Sequence, residues 1–433
     1  MFKRIYLNFV FDGVPGVPER LNYAVFLLFA GFLCILQTNH TVTVREMLFF
    51  SLLLITLWAS WRKKLKLYVP MPTAWLLYTA IAFFSLAYAL DPVYSLKEIR
   101  NEVIWSMLIM LITASWVRNE RSLSRLIWLL ISWNIFLVCL AVGLGEYLLI
   151  SFGRRIASAP FIGVGKFSTY IVIVLPLIAA AALQSLKRNS AAFFLLLLLI
   201  VFNLVALYFT DNRISWLCVI TEFALMFGLI WRYNIVTVSR RGLFLTGSLV
   251  LILLLVFNFA AFGRFRQAKS FNETVTFITS GKMLKKFSRN LRIDLWDKAF
   301  ENIKDAPFSG AGFGRETFKM LNPEFSKTHR QLEHAHNIFL DKGVQMGIPG
   351  VLSFCLLLWS AFREVTWPFK HDRGNRESII YAIAGVAMIA GMIIKNLTDD
   401  FFVRDNAWMF WLITAAIIGA CKKDVNSKPL ENH

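Results

Sequence analysis

Two short segments hold the residue types that move protons and bind anions. They read Arg289-Asn290-Leu291-Arg292-Ile293-Asp294-Leu295-Trp296 and Glu333-His334-Ala335-His336-Asn337-Ile338-Phe339-Leu340. A neutral imidazole can take the proton of an alcohol near neutral pH. Planar guanidinium groups contact phosphate oxygens two at a time. His336 is therefore the candidate base, its neutral form favoured by the cations around it. Arg292 is a candidate anion ligand, with Arg289 beside it. Helical spacing points His334 away from His336. His329, His334, His336 and Glu333 also raise the question of a metal ion. Their spacing matches no common zinc pattern and the nearby arginines repel a cation, so no metal site is expected.

Other polar groups stand where apolar runs stop. Arg213 lies in the tight turn Asp211-Asn212-Arg213-Ile214-Ser215-Trp216, which pins it at the mouth of a helix. The plain alternative is an interfacial arginine reaching for lipid headgroups. Arg154, Arg155 and Lys166 share a loop with Gly153, Gly163 and Gly165, a composition that suits backbone approaching an anion. Lipid phosphates holding a basic loop would read the same way. Arg292, Trp296, Ala299 and Phe300 recur at helical spacing on one face. Gly310-Ala311-Gly312-Phe313-Gly314 follows a helix and a proline, and no Lys-Ser pair comes after it. A nucleotide site is therefore excluded and a flexible turn expected. Beyond His336 and Asn337, the glycines at 343, 347 and 350 let the chain pack closely on other backbone. Asp399 and Asp400, in a later loop, are candidates to orient the His336 imidazole or to bind hydroxyl groups.

The elements that must position these residues are apolar. Hydrophobic residues make up 57% of the 433, charged residues only 17%, and the mean hydropathy is +0.58. Twelve spans are read, at 21–38, 45–61, 73–90, 101–117, 123–144, 167–184, 191–210, 214–231, 243–262, 347–362, 378–394 and 407–420. In hydrocarbon the backbone must satisfy its own hydrogen bonds, so each is a helix. The 40 Phe and 14 Trp suit lipid-facing surfaces and interfacial belts. The chain therefore reads as one all-α, polytopic membrane domain over 1–433, with a large helical insertion at 263–346 between spans nine and ten. Met1–Phe11 is short and amphipathic, and the first apolar run is read as an uncleaved anchor.

Alternate short loops concentrate Lys and Arg, among them Arg62, Lys63, Lys64 and Lys66, then Arg118, Arg121 and Arg125, then Lys422 and Lys423. By the positive-inside tendency these loops and both termini face the cytoplasm, which puts 263–346 outside. The same tendency accounts for much of the net charge of +19 without nucleic acid. It does not account for the basic residues of the outer insertion, which points there to an anionic ligand. The five cysteines sit in or beside apolar runs with no CxxC pair, as small buried hydrophobes.

Taken together, Arg213-Ile214-Ser215-Trp216, Arg292 with Trp296, Pro307-xx-Gly310-x-Gly312-x-Gly314 and His336-Asn337-xx-Leu340 resemble the O-antigen ligase / O-antigen polymerase superfamily. The resemblance covers most of the membrane domain and is densest from about 211 to 350. Val164-Gly165-Lys166-Phe167 departs from it, since many relatives carry a Pro-Asn pair there. The resemblance implies an inverting glycosyltransferase of the bacterial inner membrane, needing neither metal nor cofactor and working at the periplasmic face. Its donor would be a glycan on undecaprenyl diphosphate and its acceptor a hydroxyl of lipid A–core oligosaccharide. In that scheme His336 activates the acceptor, and Arg213 and Arg292 meet the diphosphate charge that a divalent ion would otherwise neutralise. Arg289, Arg155, Arg154, Lys166, Asn337 and Asp399 are further substrate contacts. An O-antigen polymerase or a protein O-oligosaccharyltransferase would share the donor. A lipid-linked oligosaccharide transporter would instead place charges along a mid-membrane path or show an internal repeat. The spans read as nearly free of charge and show no repeat.

Overall fold

The computed structural model describes residues 17–38, 41–152, 163–186, 188–210, 212–235, 291–328, 333–402 and 404–422. Every regular element among them is helical and none is a strand. In chain order these are α1 (Glu19–Leu36), α2 (Val42–Trp61), α3 (Pro72–Phe84), α4 (Pro92–Glu98), α5 (Trp105–Trp116), α6 (Glu120–Phe152), α7 (Val164–Ser185) and α8 (Ser190–Phe209). There follow α9 (Arg213–Arg232), α10 (Leu291–Asp305), α11 (Thr317–Leu321), α12 (Pro323–Thr328), α13 (Ile338–Val365), α14 (Pro368–His371), α15 (Arg376–Asn396) and α16 (Arg404–Cys421). A 3-10 turn, Ser85–Tyr88, extends α3, and a π-helical stretch, Ile99–Ile104, joins α4 to α5.

Among the described residues eight helices are long and apolar enough to cross a membrane: α1, α2, α6, α7, α8, α9, α13 and α15. The protein is an all-α, polytopic membrane protein. Three further expected spans form helices below that measure. α3 with its 3-10 turn is short, α5 has 12 residues beyond the π stretch, and α16 opens on Arg404, Asp405 and Asn406. The span expected at 243–262 lies outside the described residues.

The chain divides into two compact units. Unit one, Met1–Leu229 with Ala299–His433, holds the membrane helices. Within it α16 packs on α5, α15 on α7, α7 on α8, α13 on α3 and α1 on α2. α7, α15 and α16 are buried nearly all round, whereas α8 exposes Phe194, Leu195 and Leu198, a face suited to lipid. Unit two, Ile230–Lys298, includes the start of α10, with Leu295 buried and Arg292 exposed.

α13 is broken at Gly347, whose φ of 67° and ψ of −168° leave the helical region. Two carbonyls lose their helical donors there. Pro349 has no N–H to give Gln345, and the Ile348 N–H turns instead to Pro307 O at 2.7 Å. The segment after α10 replaces both. Ala311 N donates to Val344 O and Gly312 N to Gln345 O, each at 3.0 Å. Gly310 lies against the Gln345 backbone, and a Cβ on Gly347 would stand 2.5 Å from Pro307 O. The glycine run, expected to be a flexible turn, is thus a fixed plug in a helix break. Its conformation answers a demand set 33 positions away in sequence, by Val344 O facing Ala311 N and Gln345 O facing Gly312 N.

The helices are also less free of charge than their apolar runs suggest. Glu98, Glu222, Lys342, Lys395 and Arg45 are all buried in them. Most are held by partners. Lys342 Nζ lies 3.4 Å from Glu102 Oε2 and 3.0 Å from Gln345 Oε1, and Arg45 pairs with Asp405. Arg404 pairs with Glu98 at 3.2 Å. A sequence window averages such groups away, and the partners of Arg45, Lys342 and Glu98 lie far along the chain.

Candidate active site

Residues 333–337 approach α13 in non-helical backbone. Asn337 caps α13, its Oδ1 accepting from Phe339 N at 3.0 Å and Leu340 N at 3.3 Å. Asp341 in the first turn reaches back, Oδ1 accepting from Ala335 N at 2.8 Å. Between these anchors His336 takes a φ of 50°, a left-handed conformation uncommon outside glycine. Its ring is thereby delivered to the loop between α15 and α16, where Nδ1 lies 3.1 Å from Asp399 Oδ1.

An ionised carboxylate only accepts, so that contact assigns the proton to Nδ1 and a lone pair to Nε2. Nε2 is buried and has no hydrogen-bond partner among the described residues. Burial alone would raise the Asp399 carboxyl. The hydrogen bond and charge of His336, the Asp400 N–H and His334 outweigh burial and hold it below the ordinary carboxylate value. Asp400 behaves oppositely, pushed up by burial and the Asp341 charge against Lys342, Arg315 and His334. The arrangement is that of an oriented general base.

His334 does not point away from His336. The two ring centroids are 4.0 Å apart, and His334 is 4% exposed. The expectation assumed helical backbone, and the left-handed residue at 336 folds the two rings together instead. His334 Nδ1 lies 3.4 Å from Asp341 Oδ2 and 3.2 Å from the His336 N–H, and Arg315 donates to Nε2. Candidate ligand atoms of His334, His336 and Asp399 fall within 4.8 Å of one another, the size of a cation site. An arginine standing on His334 Nε2 and a carboxylate facing Nδ1 leave that ring no free lone pair for a metal.

The candidate cations fall in different places. Arg213 begins α9 and is exposed. Lys166, in the first turn of α7, lies 3.2 Å from Asp405 Oδ2, while Asp405 Oδ1 takes Arg45. Gly165 gives room to the Phe401 ring rather than to a ligand. Arg292 belongs to unit two and is described on α10 alone, where Phe300 is exposed and Leu295 and Ala299 are buried. Arg289, Arg154 and Arg155 lie outside the described residues. Asn337, expected to meet substrate, spends its carboxamide oxygen on the α13 cap.

Lys395 went unnoticed in the sequence, where it ends an apolar run. It is fully buried, its Nζ donating to Ser168 Oγ at 3.0 Å and Ser215 Oγ at 2.8 Å, and lying 4.9 Å from the centre of the Phe401 ring. Those partners each follow a candidate residue by two positions: Lys166, Arg213 and Asp399. One ammonium therefore ties together α7, α9, α15 and the Asp399 loop. Arg315 and Asp341 were missed for the same reason, since only the fold shows what they touch.

A search of curated proteins finds no match to the chain. A family model described as O-Antigen ligase matches residues 196–355, from α8 to α13. The match takes in Arg213, Arg292, His336 and Asn337 and stops short of Asp399. Over residues 196–355 the chain is thus similar to the O-antigen ligase family.

Proposed function

We propose that this protein is an O-antigen ligase. It moves the glycan from undecaprenyl diphosphate to a hydroxyl of lipid A–core oligosaccharide, with inversion and without a metal. The match of residues 196–355 to the O-antigen ligase model supports a ligase- or polymerase-type transfer in general terms. The observation that carries the finer reading is His336, with Nδ1 on Asp399 and Nε2 buried and unpartnered among the described residues. A buried polar atom without a partner is costly, and an acceptor hydroxyl supplies the missing one. As that oxygen bonds to the anomeric carbon, its proton passes to Nε2 and the bond to the lipid diphosphate breaks. Arg213 and Arg292 balance the charge on the departing diphosphate.

The test is transfer by purified protein from lipid-linked glycan to separate acceptors. Product on lipid A–core alone supports a ligase. Longer lipid-linked glycan would make it a polymerase, glycosylated peptide an oligosaccharyltransferase, and no product on any acceptor would overturn the assignment. Transfer should persist in EDTA. Activity lost to chelation and restored by one divalent ion would remove the charge-balancing role from the arginines.

The site works on the periplasmic side of the inner membrane, in a single membrane domain whose termini are cytoplasmic and whose 263–346 insertion is outside. In a cysteine-free background, a cysteine at Lys319 should react with an impermeant thiol reagent from outside, and one at Lys64 should not. Reversed labelling would reverse the topology. Buried charges in the helices also suit a transport path. Here Arg45, Lys342 and Lys395 lie near the ends of their helices and tie those helices to others, which favours a fixed scaffold around one site.

A further inference from the structure

We infer that Arg315 is a positioning residue for the transfer, acting through His334 to reserve Asp399 for His336. The inference rests on His336 being the base. His334 Nε2 lies 3.8 Å from Asp399 Oδ1, the same oxygen that His336 Nδ1 approaches at 3.1 Å. A proton on His334 Nε2 would make that ring a second donor competing for one acceptor. The Arg315 guanidinium stands at Nε2, and since arginine only donates, Nε2 must present its lone pair. The proton of a neutral His334 then sits on Nδ1, facing Asp341 Oδ2 at 3.4 Å.

Among the described residues, every charged group against His334 fits this division. Asp341 comes from the first turn of α13, Arg315 from the segment before α11, and Asp399 and Asp400 from the α15–α16 loop. His336 stacks from its own segment. Arg315 is thus the group that sets the tautomer of the inner ring. The inner ring in turn supports the outer one by packing against it, the ring centroids 4.0 Å apart.

The experiment measures transfer from lipid-linked glycan to lipid A–core by the purified full chain. Arg315→Met has no N–H to donate. It should lose kcat by about 10²-fold, the cost of misplacing a catalytic group by about an ångström, with KM for the donor unchanged. Arg315→Lys keeps a donor and should retain most of the rate. Adding His334→Phe to Arg315→Met fills the ring's space without the competing nitrogen, and should recover kcat to within about tenfold of wild type. A double variant as slow as Arg315→Met, or slower, overturns the inference. If Arg315→Met does not accumulate, the double variant decides alone: a rate near wild type supports the inference and a rate at the His336→Ala level overturns it. His336→Ala in the same assay separates the two ideas. Normal transfer by His336→Ala removes the base and this inference with it. An inactive His336→Ala beside a normal Arg315→Met removes the inference alone.

Discussion

His336→Ala is expected to lose transfer by a factor on the order of 10² to 10⁴, the range for a positioned acid–base group. The loss follows from the geometry of one ring. Nδ1 is committed to Asp399, so Nε2 is the nitrogen left to accept a proton, and alanine offers nothing in its place. Binding of the lipid-diphosphate donor should change little, because the imidazole serves the acceptor. Arg292→Ala should differ, weakening donor binding as well as transfer, since its partner carries charge in both the ground and transition states. Measuring kcat and donor affinity for both variants decides the point. Near-normal kcat in His336→Ala would rule the residue out as an essential base. His334→Ala is no longer expected to be mild, because the inner ring supports the outer one.

Asp399→Asn should be nearly as damaging, by roughly 10² to 10⁴ in kcat, on a physical argument that needs no loss of shape. A carboxylate can only accept from Nδ1, whereas a carboxamide can turn its NH₂ toward it. The imidazole proton then moves to Nε2 and the base is lost, the effect of a wrong tautomer in hydrolytic triads. Because both substitutions disable one unit, Asp399→Asn added to His336→Ala should cost little more than His336→Ala alone. A fully additive double variant would show Asp399 acting elsewhere, on substrate for example.

The carboxyl also has a signature in stability. Its folded value is held below the ordinary one, against burial, by His336. The contribution is therefore fully present above the unfolded carboxylate value and is lost as pH falls through the lower folded value. The stability difference between wild type and Asp399→Asn should accordingly shrink as pH falls below about pH 4. A difference unchanged on going from about pH 5 to about pH 2 would show that the carboxyl is not held low.

The sequence by itself determined the class of protein and the places where chemistry could sit. Hydrocarbon imposes its demand on each segment separately, so an apolar run is legible without knowing its neighbours, and the eight long helices fall on expected spans. Where those runs stop, polar residues stand out, which is why Arg213 and His336 could be named and why the order of motifs pointed to a family. What the fold decided is which of these residues meet. His336 and Asp399 are 63 positions apart and Lys342 and Glu102 240 apart, and no local period links either pair. His334 was misplaced because a left-handed histidine has no sequence signature of its own. The glycine run reads as flexible from sequence because its partners are two carbonyls orphaned by the break at Gly347 and Pro349. A buried charge is costly in such a core, so Arg45, Lys342 and Lys395 take partners from distant helices, and only tertiary structure brings those helices together.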